Sequence, residues 1–171
     1  SATAVTAAAD AAARVLGRGT FVLALPCHTI AGLMAVLRSL LAGHEPVVAE
    51  SVGGFAPAAF CDAVDRLLQQ DHDDARFTSL VPTQLKRLLD AGAAATAALT
   101  ALDAVLVGGA ACPEPLRARA LDAGVQVVTT YGMTETCGGC VYDGAPLPGV
   151  RVRTGPHGRV EISGPTLFSG Y

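Results

Sequence analysis

Short apolar segments alternate with segments of helical periodicity along most of the chain, and this alternation limits the folds that it can adopt. The apolar segments are rich in β-branched residues and lack the polar alternation of a half-exposed strand. Strands separated by helices pair in parallel through right-handed crossovers, and helices then cover both faces of the sheet. The sequence therefore predicts an α/β fold with a doubly wound, mainly parallel sheet.

The predicted elements can be placed from periodicity and from the positions of glycine and proline. Helices are predicted at 2–16, from Ile30 to Gly43, from Pro57, from Pro82 and at 113–123, and an alanine-rich connector precedes residue 104. Phe60, Val64, Leu67 and Leu68 are expected on the buried face of their helix. The predicted strands are 20–25, 46–49, 77–81, 104–107 and 125–129.

The pattern changes after residue 144, which suggests a second structural unit. Residues 150–153 and 159–163 alternate between apolar and polar, and a Gly-Pro-His-Gly turn separates them. A two-strand hairpin is marginal alone, so residues 145–171 are expected to begin a small antiparallel β-subdomain after an α/β subdomain at 1–144.

A polar segment follows the last predicted parallel strand, where Gly132 is expected to end that strand. Ligands of open α/β sheets bind outside the carboxyl ends of the strands, so residues 131–135 are expected to line a pocket. Hydroxyl and free N–H groups there suit an anion, the Glu135 carboxylate suits Mg²⁺, and Tyr131 could stack on a flat base. From these residue types alone, an exposed polar turn remains the alternative.

Other loops follow strands at the same end of the predicted sheet. Gly108 and Gly109 allow close approach of the backbone to a ligand, although the fingerprints of nicotinamide and P-loop sites are absent from the sequence. The topology is expected to group several further residues around one crevice. They are His28, Ser79, Thr83, Gly109 and Thr134.

Cysteine content and charge restrict the compartment and the partners. Five scattered cysteines favour free thiols and a cytoplasmic location, and a tight Gly-Gly turn is preferred to a metal or redox site at Cys137 and Cys140. The net charge of −3 gives no basic surface for nucleic acid or anionic membranes. Arg38 interrupts the longest apolar run, so no transmembrane helix is predicted. The sequence leaves open whether the chain forms a homo-oligomer.

Several segments in order resemble landmarks of the adenylate-forming superfamily of acyl-CoA synthetases, adenylation domains and luciferases. The most specific are the Tyr-Gly-Met-Thr-Glu segment from Tyr131 and the Thr-Ser-Leu-Val-Pro-Thr-Gln-Leu segment from Thr78. Within that superfamily they are most similar to actinobacterial o-succinylbenzoate CoA ligases of menaquinone biosynthesis. The other landmarks lie at 25–32, 107–110, 158–164 and 170–171.

This resemblance implies a chemistry and a set of site residues. A carboxylic acid would attack Mg-ATP to form an acyl-adenylate, and CoA would then displace AMP, so that ATP, Mg²⁺ and CoA are required. Thr134 and Glu135 would be catalytic, with Glu135 binding the metal. The implied nucleotide-binding residues are Gly108, Gly109, Ala110, Tyr131, Gly132, Met133 and Thr134, and the implied substrate-binding residues are His28, Thr29, Ser79, Thr83, Gly109 and Thr130.

Two departures from the superfamily pattern qualify the resemblance. Thr29 stands where a functional His is usual, and Thr cannot carry charge. The phosphate loop is expected before Ser1, and the domain with the catalytic Lys is expected after Tyr171. Three hypotheses follow: an inactive fragment of an o-succinylbenzoate CoA ligase, part of another acyl- or aryl-CoA ligase, or a truncated, non-catalytic nucleotide-binding module.

Overall fold

The computed structural model describes residues 1–50, 53–71 and 73–170, in which helices and strands alternate as predicted. Tyr171, part of the last superfamily landmark, lies outside these residues. The helices are α1 (Ala2–Leu16), α2 (Ile30–Leu41), α3 (Pro57–Leu68), α4 (Pro82–Asp90), α5 (Ala93–Thr100) and α6 (Glu114–Asp122). The strands are β1 (Gly19–Leu23), β2 (Val47–Val48), β3 (Ala75–Leu80), β4 (Ala104–Val107), β5 (Val127–Met133), β6 (Gly138–Tyr142), β7 (Ala145–Pro146), β8 (Arg151–Thr154) and β9 (Val160–Ser163).

The main sheet of the described residues has the strand order β2-β1-β3-β4-β5-β6-β7. Strands β1 to β5 pair in parallel, and β6 and β7 continue the sheet in antiparallel pairing. The order 2-1-3-4-5 is typical of flavodoxin-like doubly wound sheets, which bind ligands where the direction of winding changes, between β1 and β3. Strands β8 and β9 form a separate antiparallel hairpin, so the predicted fold class is confirmed.

Neighbouring residues of each strand face opposite layers of helices, because strand side chains alternate between the two faces. Val22 and Val105 pack in a core with residues of α3, α4, α5 and α6. Phe21 and Leu106 pack in a second core with residues of α1 and α2. Both faces of the parallel strands are therefore covered, as predicted from their continuous apolar sequence.

Three local predictions are wrong, and each has a physical reason. The alanine-rich connector is helix α5, which buries Leu99 completely. Gly132 does not end its strand, because β5 continues to Met133 by pairing with β6. Gly138 and Gly139 lie in β6 rather than in a turn, and the chain reverses at a 3-10 turn, Thr134–Thr136, with Cys137 at a φ of 54°.

Smaller differences concern element ends and one buried face. Most of the predicted parallel strands and the helix predicted at 113–123 begin or end one to four residues from the predicted positions, because pairing partners rather than local composition fix the ends. Leu68 was expected in the core, but 39% of it is exposed, whereas Leu67 is fully buried. No helix among the described residues is both long and apolar enough to span a bilayer.

The contrast between Leu67 and Leu68 predicts different effects of the same truncation. Leu67→Ala removes a fully buried side chain and should lower the free energy of unfolding by about 2–5 kcal/mol. Leu68→Ala, the matched control on the same helix, should change it by about 0.5 kcal/mol. Urea unfolding of the 171-residue chain measures both, and equal losses would contradict the packing of α3.

Candidate functional site

The first cavity lies between α2 and the carboxyl ends of β3, β4 and β5, and we call it the α2 cavity. Its volume is about 130 Å³. Its walls are mainly apolar side chains and glycines, and Arg38 is the only charged side chain among the described residues that line it. The lining includes Met34 and Ala35 of α2, Ser79 of β3, Leu106 of β4, Thr130 and Gly132 of β5, and Gly139 and Tyr142 of β6.

A second and larger cavity, about 490 Å³ in volume, lies between the β4–α6 loop and β5, and we call it the β5 cavity. Gly109, Ala110 and Cys112 line it from the loop, and Thr129 and Tyr131 line it from the strand. The two cavities share Gly109, Thr130 and Gly132. A ligand in one cavity would therefore meet a ligand in the other at the end of β5.

Close approach of β4 and β5 forms the boundary between the two cavities. A Cβ atom at Gly108 would lie 2.2 Å from Oγ1 of Thr130, so only glycine fits there. The next residue, Gly109, has a φ of 76°, a conformation that glycine adopts without strain. Thr130 Oγ1 donates to the carbonyl of Val107 at 3.4 Å, which links its side chain to the end of β4.

Asp143 holds the middle of β5 in place, and the sequence analysis did not identify it. Its Oδ1 accepts hydrogen bonds from the backbone N–H and from Oγ1 of Thr129, each at 2.8 Å. The Asp143 N–H also donates to the Thr129 carbonyl at 2.8 Å. Three hydrogen bonds between two residues therefore fix the strand where it borders the β5 cavity.

The predicted catalytic residues lie on the 3-10 turn after β5. Met133 and Thr134 are exposed and Glu135 is half-buried, and none of the three lines the α2 or the β5 cavity. The turn is well braced, because Thr136 Oγ1 accepts from the Met133 N–H at 3.0 Å and donates to the Gly138 carbonyl at 2.7 Å. The Glu135 carbonyl accepts from the N–H of Phe168 at 3.0 Å.

The remaining predicted substrate residues are divided between the cavity and the surface. Ser79, Gly109 and Thr130 line the α2 cavity, whereas His28 and Thr83 are exposed and line neither cavity. Thr29 caps α2: its Oγ1 accepts from the Gly32 N–H at 3.2 Å and donates to the Pro26 carbonyl at 2.8 Å. An N-cap needs a short side chain with an acceptor oxygen, and Thr supplies one, which gives a structural reason for Thr at this position.

Arg38 is the second functional candidate that the sequence analysis missed. Its Nη2 donates to the Tyr142 hydroxyl at 2.7 Å, and its guanidinium carbon lies 5.8 Å from the Phe21 ring centroid and 6.0 Å from that of Tyr142. Its Nε is buried and has no hydrogen-bond partner among the described residues. A buried unpaired donor costs about 1–3 kcal/mol, and the guanidinium charge would stabilise an anion in the cavity that Arg38 lines. The sequence signal that could have identified Arg38 is that it is the one charged residue in the largely apolar helix α2.

The cysteines of the Cys-Gly-Gly-Cys segment lie inside the protein. Cys137 and Cys140 are buried free thiols, and burial raises the pKa of each above its usual range. Within the described ranges, no cluster of three or more His, Cys, Asp or Glu side chains could hold a metal. A buried thiol with a raised pKa is a poor nucleophile and a poor metal ligand.

Comparison with known proteins gives the family of this fold and site. The model of the family described as AMP-binding enzyme matches residues 1–171, and the chain belongs to that family. A probable 2-succinylbenzoate–CoA ligase of Mycobacterium tuberculosis (strain H37Rv) is 48% identical over 172 residues, covering 100% of this chain and 44% of the relative. The chain thus spans less than half of the length of that relative.

Many solved structures share the fold. The o-succinylbenzoate coenzyme A synthetase (MenE) of Bacillus subtilis, in complex with ATP and magnesium ion, matches with a TM-score of 0.81 at 23% identity. The match covers 99% of this chain and 38% of that one. Wild-type E. coli MenE with a bound m-phenylether-linked analogue of OSB-AMS matches with a TM-score of 0.75 at 28% identity, covering 99% and 36%.

The hydrogen bonds of Thr29 predict the effect of its replacement. Thr29→Ala removes the acceptor for the Gly32 N–H and should lower the free energy of unfolding by about 1 kcal/mol. Thr29→Ser, the matched control, keeps the hydroxyl and should retain the stability of the unmodified chain. Thermal unfolding of the three proteins measures the difference, and identical midpoints would contradict a capping role.

Proposed function

We propose that this chain is part of an AMP-forming acid–thiol ligase whose acid is o-succinylbenzoate. In the first step, a carboxylate oxygen attacks the α-phosphorus of ATP, and the bond to pyrophosphate breaks to leave an acyl-adenylate. In the second step, the sulfur of CoA attacks the acyl carbon, AMP leaves and the thiol proton is lost. Both steps depend on holding reactants together and compensating charge, so no nucleophile from the protein is required.

The observation that carries this proposal is a single cation in an apolar cavity that adjoins a second cavity. o-Succinylbenzoate has two carboxylates, of which one reacts and the other must be buried as a charge. Burial of an unpaired carboxylate is costly, and Arg38, which lines this cavity, offers it a counter-charge. Monocarboxylic acids lack a group to pair with Arg38, which favours o-succinylbenzoate over the monocarboxylic acids of other acyl-CoA ligases.

The nucleotide is proposed to occupy the β5 cavity. Gly109 and Ala110 would pass along adenine, and the half-exposed ring of Tyr131 would stack on it. Gly132, shared by the two cavities, would then lie beside the α-phosphate, where the acid arrives from the α2 cavity. The glycine-rich lining suits this role because it lets the backbone approach a flat or charged ligand closely.

Thr134 and Glu135 are proposed to act on the phosphates from the turn after β5. The Thr134 hydroxyl would donate to phosphate, and the half-buried Glu135 carboxylate would hold Mg²⁺. One carboxylate fits this metal, since Mg²⁺ prefers oxygen ligands and usually binds through one or two carboxylates together with phosphates. The ion, when bound, would neutralise charge on the phosphates.

The domain division and the compartment are further parts of the proposal. We infer an α/β subdomain at residues 1–144 and the beginning of a β-subdomain at 145–171. The separate β8–β9 hairpin supports this division, whereas β7 at its border still belongs to the main sheet. Free cysteines throughout the described residues fit a cytoplasmic protein. A non-catalytic nucleotide-binding module is the second candidate, and the acid-binding features of the α2 cavity argue against it.

The first test is a coupled AMP-release assay on the full-length gene product with a panel of acids. kcat/KM for o-succinylbenzoate should exceed that for benzoate or hexanoate by roughly a hundredfold, because those acids leave Arg38 unpaired. Arg38→Met should remove most of this preference, while Arg66→Met, remote on α3, should not. A preference for a fatty acid would refute the proposed substrate.

The second test concerns Glu135 and the first half-reaction. Glu135→Gln removes the charge that would hold Mg²⁺ and should slow ATP–pyrophosphate exchange by roughly a hundredfold or more. Glu45→Gln, an exposed position in the α2–β2 loop, is the control and should leave exchange unchanged. If Glu135→Gln exchanges pyrophosphate at the original rate, Glu135 has no part in adenylation.

A further inference from the structure

We propose that Arg38 also forms a wall between the acyl site and a third, apolar cavity, and so excludes long uncharged acyl chains. The inference rests on the proposed function, because it takes the α2 cavity as the site of the acid. It assigns a second, steric role to Arg38 that is separate from its charge. The two roles can be separated by experiment.

The third cavity lies between α1 and the sheet, and we call it the α1 cavity. Its volume is about 70 Å³, compared with about 130 Å³ for the α2 cavity. Most of its lining is apolar, and its other two charged residues, Asp10 and Arg18, are exposed. The apolar lining includes Ala9, Ala12, Ala13, Leu16, Phe21 and Phe77.

Arg38 is the only described residue that lines both the α1 cavity and the α2 cavity. Phe21 belongs to the α1 cavity and Tyr142 to the α2 cavity, and the guanidinium lies within 6.0 Å of both ring centroids. Arg38 therefore borders both cavities, and removal of its side chain is expected to connect them.

The position of the wall is fixed by its neighbours. The hydrogen bond from Arg38 Nη2 to the Tyr142 hydroxyl measures 2.7 Å, and Tyr142 is buried. The Tyr142 ring itself lies against Gly139, where a Cβ atom would be 2.7 Å from Cε1 of the ring. With a flat ring on each side and a hydroxyl at its tip, the guanidinium has a defined place.

The chemistry of the wall decides which acids fit. An acyl group longer than the α2 cavity must either displace Arg38 or place apolar atoms against its guanidinium. Covering a cation with apolar atoms removes its solvation and supplies no partner. An acid that ends in an anionic group satisfies the same cation at the same place. One side chain therefore accepts a distal carboxylate and rejects a longer apolar chain.

The test compares Arg38→Ala with Arg38→Met in the full-length gene product. Both variants remove the charge, but only alanine opens the wall, since methionine keeps much of the length of the side chain. Arg38→Ala should raise kcat/KM for decanoate at least roughly tenfold, the low end of what one methylene contributes in an apolar pocket. Arg38→Met removes the charge but keeps the wall, so its gain should be clearly smaller. If the two variants gain equally in kcat/KM for decanoate, the inference is overturned, because the charge of Arg38 alone then accounts for the exclusion of decanoate.

Two further variants keep the test decisive. Ala13→Leu fills the α1 cavity and, combined with Arg38→Ala, should abolish the gain on decanoate. If alanine is not tolerated, Arg38→Val leaves a smaller void and should also raise kcat/KM for decanoate. Persistence of the gain in the Ala13→Leu double variant would show that the chain takes another path, and would overturn the inference.

A binding measurement separates this inference from the proposed function. If the unmodified protein fails to activate o-succinylbenzoate, the proposed substrate is wrong, whatever the variants do. Calorimetric titration with decanoate still tests the wall: the Arg38→Ala protein should bind it at least roughly tenfold more tightly than the unmodified and Arg38→Met proteins. Equal affinities in the three proteins would refute the wall independently of turnover.

Discussion

Parallel pairing of β1, β3, β4 and β5 is the constraint on which the remaining structure depends. Such strands are buried on both faces, so their middles are almost entirely apolar, and polar or small residues that meet a ligand are confined to the strand ends. At that edge lie Ser79, Gly108 and Thr130, which all line the α2 cavity. The helices contribute differently on the two faces. Among the described residues, α2 is the one helix that lines this cavity, while α3 to α6 complete the opposite core. The location of the site is thus a consequence of topology, and its chemistry is a consequence of a few residues at the edge.

The change of direction after β5 gives this edge its shape. Antiparallel pairing of β6 on β5 requires very close contact, since a Cβ atom at Gly132 would lie 2.0 Å from the Gly138 carbonyl oxygen. The register also shifts between Tyr131 and Gly132, an irregularity of the kind that redirects side chains next to sites. Asp143 then ties the two strands together through Thr129. Glycine at 132 is therefore needed for pairing, and its place in the superfamily motif has a structural reason as well as a functional one.

The sequence was sufficient for the fold because periodicity and apolar composition are local properties. It was insufficient for α5, since an alanine-rich helix has little polar–apolar contrast from which to read a period. It also misjudged Gly138 and Gly139, because glycine marks close backbone approach as well as turns. Arg38 and Asp143 were not identified for a different reason. The Arg38 guanidinium contacts Tyr142, which lies 104 residues further along the chain, and no local pattern encodes such a contact. Site residues named from the superfamily motif were accessible to sequence reasoning, whereas those created by packing were not.

The nucleotide half and the acid half of the proposed site depend on different interactions. The nucleotide half is mostly glycine, alanine and backbone, so it depends on the shape of the chain and is insensitive to which acid is bound. The acid half depends on one cation in apolar surroundings, where a missing counter-ion is costly. A hydrophobic residue in place of Arg38 would avoid that cost, so the charge is best explained by the ligand rather than by stability. Because α2 supplies this charge from a layer of helices outside the parallel sheet, the acid accepted by the proposed site could change without disturbing the strand ends proposed to hold the nucleotide.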